Sequence, residues 1–370
     1  MTPQLILLFF ALVHLLIAIL LIGGLVRRYD RRRDEPFISI VVPVRNEEAN
    51  LCRLLDSLLQ LDYPQDKLEL ILVDDESEDS TKAIALSYSS KFQCAYKVID
   101  ADHSKEAELR AKTLPLAQGI DVAKGELILM TDGDCVVPKS WARGMVSYFG
   151  NRVGIVCGVT LPRLTQAPGF PSTWFESVDW SYLLGVCAGF SGIARPLALI
   201  GNNYAVRREA YDALGTFRSM EYNSIDDMAL MRAVRKSSDW KVAFPVDHET
   251  VVKTLPIGGV IAQARQRRRW AKGKDIMDGA SQLILIFAML THLTWPLWIY
   301  LWGTTGLLAA VTIAVGDYIV IATTLLRTKA YKPLLFTVFY PLYTLIYGWL
   351  MVVFLFTGKT VQWKSRPFSG

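Results

Sequence analysis

Long apolar stretches occupy both ends of this 370-residue chain, and a charged segment lies between them. Residues 5–26 are almost unbroken Leu, Ile, Phe, Ala and Val, with His14 the only strongly polar interruption. Residues 283–326 and 333–356 are also predominantly apolar, with a break near Trp302-Gly303. Because about 20 apolar residues cross a bilayer as a helix, the pattern predicts one N-terminal and about three C-terminal membrane segments.

Basic residues follow the first apolar stretch, at positions 27–33. The positive-inside rule therefore places residue 27 onward on the cytoplasmic side of a bacterial-type cytoplasmic membrane. Four spanning segments would leave the basic tail, residues 359–366, outside. Pro341 and Gly348 also allow a kinked or re-entrant last segment, which would keep the tail inside. Both arrangements stay open at this point.

The charged middle of the chain alternates short apolar strands with helical patterns. The predicted strands are 37–43, 68–73, 95–99 and 127–130, and the predicted helices include 51–61 and 111–123. Buried strands joined by helices indicate an α/β fold with a mostly parallel, Rossmann-like sheet. We expect three parts: residues 1–36 as the first helix and its basic linker, 37–275 as a cytoplasmic catalytic domain, and 276–370 as the C-terminal membrane region.

Polar clusters at 45–48, 74–79 and 132–134 follow three of these strands. Ligands of parallel sheets bind at the carboxyl ends of the strands. Asp132 and Asp134 point to the same side of an extended chain, and Gly133 lets the backbone turn between them. Two such carboxylates repel each other unless a cation joins them, and hard cations such as Mg²⁺ are held by carboxylates together with substrate phosphates.

Composition and charge narrow the class of protein. The chain is 52% hydrophobic with a formal net charge of +5, and its basic residues cluster beside the apolar segments. This pattern favours a membrane surface, rather than nucleic acid, as the partner of the basic residues. The five cysteines show no C-x-x-C pair, so we expect reduced packing residues.

The segments 43–48, 73–79 and 131–134 resemble the nucleotide-sugar signatures of family 2 glycosyltransferases, which have a GT-A fold. The resemblance implies that the first two clusters hold the nucleoside, that Lys112 contacts the donor, and that Asp134 is the direct ligand of a divalent cation on the donor diphosphate. The implied donor-binding residues are Pro43, Arg45, Glu47, Asp74, Asp75, Lys112, Asp132, Gln266, Arg269 and Trp270. The implied metal ligands are Asp132 and Asp134, for Mg²⁺ or Mn²⁺.

Two further segments resemble motifs of membrane-integral members, such as ceramide glucosyltransferase-like and carotenoid or lipid glycosyltransferases. Residues 225–230 resemble the "ED" motif, with Asp226 in place of Glu, which implies that Asp227 is the general base. Asp226 shares the catalytic motif and also has the position of a helix cap. Residues 266–270 match Q-x-x-R-W, and we expect Arg267 and Arg268 to contact lipid headgroups.

The resemblance implies an inverting transferase that moves a sugar from a nucleotide-diphosphate sugar, UDP-linked, to a lipid or another apolar hydroxyl compound at the membrane. A processive polysaccharide synthase is an alternative, because such enzymes share Q-x-x-R-W. A non-catalytic protein that binds nucleotide sugars is a second alternative, and its mark would be loss of the acids at 132, 134 and 227, all of which are present.

Overall fold

The structure is a computed structural model that describes residues 2–104, 109, 112–164, 172–219, 226–237, 239–271, 279–357, 361–363 and 366–368. The chain divides into two compact units. The first, here called the helical unit, comprises Met1–Arg27, Pro162–Leu197 and Pro256–Val361. The second, here called the sheet unit, comprises Arg28–Leu161, Ala198–Leu255 and Gln362–Gly370.

The strands among the described residues form one large sheet and two small ones. Their bounds are β1 Ile38–Val44, β2 Leu68–Asp74, β3 Ala95–Asp100, β4 Leu127–Thr131, β5 Val153–Cys157, β6 Thr160–Pro162, β7 Asn203–Arg207, β8 Lys241–Ala243, β9 Val252–Thr254, β10 Val361–Trp363 and β11 Arg366–Phe368. The large sheet has the order β3-β2-β1-β4-β7-β5-β8, and β6–β9 and β10–β11 are two-stranded. β3, β2, β1 and β4 are parallel, whereas β7 is antiparallel to β4 and β5. The predicted strands and the mostly parallel sheet are confirmed.

The helices are numbered through both units. Their bounds are α1 Pro3–Leu25, α2 Leu51–Leu58, α3 Thr81–Ser87, α4 Thr113–Val122, α5 Trp141–Ser147, α6 Ser172–Gly192, α7 Arg208–Ala213, α8 Thr216–Ser219, α9 Asp226–Lys236, α10 Val260–Ala271, α11 Gly279–Trp302, α12 Thr304–Arg327 and α13 Tyr340–Thr357. Short 3₁₀ helices cover Gln65–Lys67, His248–Thr250 and Lys332–Phe339. The predicted start of α4 at Ala111 lies outside the described residues.

The sheet unit has a continuous apolar core, because its inner strands β2, β4 and β5 are buried along their whole length. β2 and β4 consist entirely of buried residues. Leu51, Leu54, Leu55 and Leu58 recur at helical spacing on α2 and are almost fully buried in the same core cluster as β1 and β2. This packing holds the strands so that their ends lie at fixed positions.

The helical unit includes four helical segments long and apolar enough to cross a membrane, among the residues that the structure describes. They are Pro3–Leu25, Gln282–Trp302, Thr304–Arg327 and Lys332–Val353. Gly303 separates the second from the third with a φ of +50°, as predicted for a break there. In the last segment a 3₁₀ helix precedes α13.

Helix α6 belongs to the helical unit and carries aromatic residues that pack against other parts of it. The ring of Trp174 lies 4.9 Å from that of Phe336, and Phe175 stacks on Tyr343 at 5.4 Å. These contacts show that the aromatic residues of α6 pack within the helical unit.

The five cysteines are free thiols. Cys94, Cys135 and Cys157 are buried, as expected of packing residues. Cys52 is exposed, so the packing role predicted for it is wrong. It lies on the polar side of the amphipathic helix α2, whose leucines face the core.

Candidate active site

Three polar loops meet at one edge of the large sheet, here called the carboxyl edge. The parallel strands β1, β2 and β4 end there, at Val44, Asp74 and Thr131. β7 begins at the same edge, because its first residue, Asn203, pairs with Thr131. The predicted convergence of the polar clusters at strand ends is confirmed.

The loops after β1 and β2 are joined by hydrogen bonds. Asn46 and Glu76 have φ angles of +51° and +54°, a left-handed conformation that non-glycine residues adopt rarely. The Asn46 amide donates to Ser77 Oγ at 3.1 Å, and the Glu78 amide donates to Asn46 Oδ1 at 2.9 Å. These bonds give the backbone amides of the two turns an acceptor and join the two loops into one rim of the carboxyl edge.

Arg45 and Asp75 are buried side by side on this rim. Their residues are 8% and 1% exposed, and the Arg45 guanidinium donates to the Asp75 carbonyl at 2.5 Å. An Asp75 carboxylate oxygen lies 3.9 Å from Arg45 Nη1. Arg45 and Asp75 therefore give the rim buried polar groups, of the kind that fix the orientation of a polar ligand in a binding pocket.

Pro43 and Asp74 lie within the strands themselves. Pro43 is paired with Val73 across β1 and β2. Asp74 is 4% exposed, and its Oδ2 accepts a hydrogen bond from the Ser77 amide at 3.2 Å. Asp74 therefore stabilises the loop that follows β2, and contacts of these two residues with a donor stay a prediction.

Sequence reasoning missed His103, which follows β3 at the same edge. Its Nε2 lies 2.7 Å from Asp75 Oδ1. The loop that carries it is held by Gln118, which accepts from the Asp102 amide at 2.8 Å and donates to the Asp102 carbonyl at 2.9 Å. The position of His103 could have indicated it, since β3 is the next parallel strand and the polar loop after it also starts at the carboxyl edge.

Lys112 and Asp132 form an ion pair at the end of β4. The Lys112 ammonium also donates to the Gly201 carbonyl at 2.5 Å. The Lys112 side chain is 16% exposed and that of Asp132 is 34% exposed, so both can reach a ligand from solvent. The structure thus brings together Lys112 and Asp132, the two charged residues that the sequence analysis assigned to binding of the sugar donor.

Asp134 lies beside Thr254 and Cys135. Its Oδ2 is 3.5 Å from Thr254 Oγ1, and its Oδ1 is 3.5 Å from Cys135 Sγ. Burial, followed by the charges of Asp134 and Asp132, raises the pKa of the Cys135 thiol well above its ordinary value. Cys135 is therefore a neutral packing group, and the charge at this position belongs to the two aspartates.

The donor set of the D-x-D segment fits a hard divalent cation. Asp132 and Asp134 supply carboxylate oxygens, the ligands that Mg²⁺ and Mn²⁺ prefer. Among the residues that the structure describes, no group of three or more His, Cys, Asp or Glu side chains could by itself hold a metal. A cation here would thus need oxygens from a substrate phosphate, which is the usual arrangement for Mg²⁺.

Gly133 is required for space rather than for its φ angle. A Cβ placed there would lie 2.9 Å from Glu47 Cγ and 3.3 Å from Val44 Cγ1. Glu47 cannot move freely, because it is 8% exposed and its Oε2 accepts from Asn50 Nδ2 at 2.9 Å. Glu47, predicted as a donor-binding residue, thus packs directly against the D-x-D turn.

We expect Gly133→Ala to displace Glu47 from the D-x-D turn. Overpacking of this kind costs about 1–3 kcal/mol, so the variant will melt at a lower temperature and bind nucleoside diphosphate roughly tenfold more weakly. Calorimetric titration and thermal melting check both effects. Gly23→Ala is the control, because no atom lies within 4 Å of a Cβ there. Unchanged binding by Gly133→Ala would show that the contact with Glu47 does not shape the site.

Asn203 is a fully buried hub below the carboxyl edge, and the sequence indicated no role for it. Its Oδ1 accepts from Trp141 Nε1 at 2.9 Å. Its Nδ2 donates to the carbonyls of Val159 at 3.0 Å and Thr250 at 2.9 Å. One amide thus ties β7 to α5 and to the residues just before β6 and β9, and its role is to position the edge.

Asn203→Leu will keep the number and branching of the side-chain heavy atoms and remove all three hydrogen bonds. Because buried polar partners then stay unsatisfied, we expect the free energy of unfolding to fall by about 3 kcal/mol. Thermal melting of the purified protein measures this change. Asn151→Leu, at an exposed position, is the matched control and should melt like the wild type.

The predicted acid pair lies at the start of helix α9. The backbone at Asp226 and Asp227 is helical, and the helix is anchored by buried Leu230, Met231 and Val234. Ile225, and the side chains of Asp226 and Asp227, lie outside the described parts of the structure. Asp226 is the first residue of the helix rather than the residue before it, and its capping role and both catalytic roles stay predictions.

The Q-x-x-R-W segment lies on α10 of the helical unit, and the side chains of Arg268, Arg269 and Trp270 lie outside the described parts. Gln266 is partly exposed. Arg267 forms an ion pair with Asp179 of α6, and both side chains are largely buried. The headgroup contact predicted for Arg267 is therefore wrong, because a buried guanidinium needs a carboxylate beside it.

A second pair fixes α10 to α6. Gln263 donates to Glu176 Oε2 at 3.1 Å, and Glu176 Oε1 accepts from the Ile257 amide at 3.0 Å. Burial raises the pKa of Glu176 despite these hydrogen bonds. Gln263 and Arg267 are one helical turn apart, so the face of α10 that they share packs against α6.

Comparisons with known proteins agree with this geometry. Residues 39–215 match the family described as Glycosyl transferase family 2. The chain is 28% identical over 249 residues to β-monoglucosyldiacylglycerol synthase of Synechocystis sp., covering 64% of this chain and 48% of that one. It is 31% identical over 124 residues to glycosyltransferase AglE of Haloferax volcanii, covering 33% of this chain and 39% of that one.

A solved structure shares the fold. The mannosyltransferase PcManGT from Pyrobaculum calidifontis matches with a TM-score of 0.57 at 20% identity, covering 96% of this chain and 99% of that one. The chain spans about half the length of the β-monoglucosyldiacylglycerol synthases that it matches. Residues 39–215 therefore form a glycosyl transferase family 2 domain, and the protein has the GT-A fold that its strand-end motifs predicted.

Proposed function

We propose that the protein is an inverting glycosyltransferase that moves a sugar from a UDP-linked donor to a lipid, or another apolar hydroxyl compound, at the cytoplasmic face of a membrane. One observation carries the proposal: Arg45, Asp75, Lys112, Asp132 and Asp134 converge at one edge of the sheet. A nucleoside diphosphate carries both a polar base and a strong negative charge, and this edge offers partners for each.

On the donor side, the rim formed by Arg45 and Asp75 would hold the nucleoside. Lys112, now paired with Asp132, would turn to the diphosphate when Asp132 and Asp134 hold Mg²⁺ or Mn²⁺. A cation held by these two carboxylates would supply positive charge to the departing diphosphate. PcManGT was solved in complex with GDP-Man and Mn²⁺, which supports a divalent ion in this fold.

On the acceptor side, Asp227 would remove the proton of the acceptor hydroxyl while the oxygen attacks the anomeric carbon. The bond to the diphosphate breaks in the same displacement, so the anomeric configuration inverts. Gln266, Arg269 and Trp270 would lie beside the diphosphate and the acceptor. Removal of a proton by a positioned carboxylate such as Asp227 is ordinary general-base chemistry. Asp226 would stabilise the start of the same helix.

The lipid acceptor and the location rest on the apolar helices. Four segments are long enough to span a bilayer, and the arginines after α1 favour the cytoplasm for the sheet unit. The relative from Synechocystis is named for synthesis of a monoglucosyl lipid, which supports an acceptor of the same class.

Release of nucleoside diphosphate by the purified protein tests the proposal. UDP- and GDP-sugars would be supplied singly, with Mg²⁺, Mn²⁺ or EDTA, and with or without total membrane lipid. We expect release from one UDP-sugar that needs both metal and lipid. Binding of donor without release under any condition would favour the non-catalytic alternative, and a polymeric product would favour the polysaccharide synthase.

A further inference from the structure

Helices α11, α12 and α13 of the helical unit enclose a cavity of about 180 Å³. Its lining includes Trp295, Ile299, Leu307, Ala310, Ala314 and Thr344. Ala310 and Ala314 lie one turn apart on α12, and their small side chains leave the space. Leu307 and Val311 line the cavity and are each half exposed, so it opens on the outer surface of these helices.

Ionisable side chains close one wall of this cavity. Asp317, which is 2% exposed, lies 3.0 Å from His14 Nε2 through Oδ1 and 2.7 Å from His292 Nε2 through Oδ2. The three residues stand near the middle of α12, α1 and α11, where a bilayer would be driest. Ionisable groups at that depth are rare and require partners or a function. Here each carboxylate oxygen of Asp317 already lies beside a histidine nitrogen, so this wall does not need a ligand to supply a polar partner.

One polar group of the lining is not satisfied by the chain. Trp295 Nε1 is buried, and no residue that the structure describes accepts its hydrogen bond. The hydroxyls of Thr291 and Thr344 donate to carbonyls of their own helices, at 2.8 Å to Ala288 and 3.0 Å to Pro341. Because no water replaces a missing partner in hydrocarbon, the indole N–H needs an acceptor from an occupant.

We propose that this cavity binds a fatty-acyl lipid, whose chain fills the apolar space and whose ester or hydroxyl oxygen accepts from Trp295 Nε1. Candidate membrane spans form its walls, so the medium at its mouth is lipid. An apolar cavity of about 150 Å³ can hold benzene, so this one has room for a length of chain. The lipid could be the glycosyl acceptor, in which case the inference rests on the proposed function, or a lipid that is not consumed.

Photolabelling tests the site without requiring activity. The full chain is placed in phosphatidylcholine vesicles with a trace of diacylglycerol that bears a diazirine on its acyl chain, and label on α12 is quantified after irradiation. Ala314→Phe fills the cavity and should lower labelling at least tenfold. Val315→Phe adds the same ring at the neighbouring, 46% exposed position and should leave labelling unchanged. Equal labelling of both variants and the wild type would overturn the proposal.

A second variant tests the oxygen contact. Trp295→Phe removes the N–H and keeps an aromatic ring, so labelling by the diacylglycerol probe should fall severalfold while that by a diazirine alkane stays. Equal loss of both would contradict the hydrogen bond. Added donor sugar identifies the lipid: a labelled lipid that gains one sugar is the acceptor, and one that stays unmodified is a bound lipid. Absence of wild-type labelling, with nucleoside diphosphate still released, would reject the cavity and leave the proposed function standing.

Discussion

Asp134→Asn will lower metal-dependent release of nucleoside diphosphate by roughly 10²–10³-fold, because it removes one of the two carboxylates proposed to hold the divalent cation. The substitution keeps the size of the side chain, which contacts Thr254 and Cys135. Folding should therefore be preserved, and the loss should appear in the catalytic constant and in the affinity for Mn²⁺. Initial rates across a Mn²⁺ titration measure both.

Asp62→Asn is the matched control for this prediction. Asp62 has an exposed carboxylate 3.3 Å from Arg143, and such surface pairs contribute little. Its rate should equal that of the wild type. If Asp134→Asn retained the wild-type rate and metal dependence, the D-x-D segment would be a structural turn rather than a cation site.

Asp227→Asn will lower the rate of transfer by about 10²–10⁴-fold while donor binding stays at the wild-type level, because only proton removal from the acceptor is lost. Single-turnover transfer and calorimetric titration of nucleoside diphosphate separate the two quantities. A high residual rate would mean that another group removes the proton.

Asp226→Asn distinguishes catalysis from capping at the same helix start. Asparagine caps a helix about as well as aspartate, so a capping residue would tolerate the change. We expect a loss much smaller than that of Asp227→Asn. Equal losses at both positions would assign the proton transfer to the pair rather than to Asp227 alone.

The sequence predicted the elements of this fold well, because each signal is local. Buried strands such as Leu68–Asp74 are continuous apolar runs, and α2 repeats leucine at helical spacing. A parallel sheet then forces the residues after Val44, Asp74 and Thr131 to one edge. The strand-end positions of the first three polar clusters followed from this rule alone.

Contacts between residues that are far apart in the sequence could not be predicted from such local patterns. Asn203 joins Trp141, Val159 and Thr250, and nothing in the residue types near it indicates those partners. His14 is the clearest case, because it is an isolated polar residue in an apolar stretch and its partner Asp317 lies 303 positions away. Arg267 was misassigned for the same reason, since a basic residue near an apolar segment resembles a headgroup contact until Asp179 is known to pack beside it.

The central claim is that the carboxyl edge of the sheet transfers a sugar to a membrane lipid. Its most direct test is mass spectrometry of lipid extracted after incubation of the reconstituted protein with a UDP-sugar and Mn²⁺, beside Asp134→Asn. The account predicts one lipid species heavier by a single sugar, formed by the wild type and nearly absent with Asp134→Asn or EDTA. No glycosylated lipid from any UDP-sugar, while the protein is folded and binds nucleoside diphosphate, would contradict it.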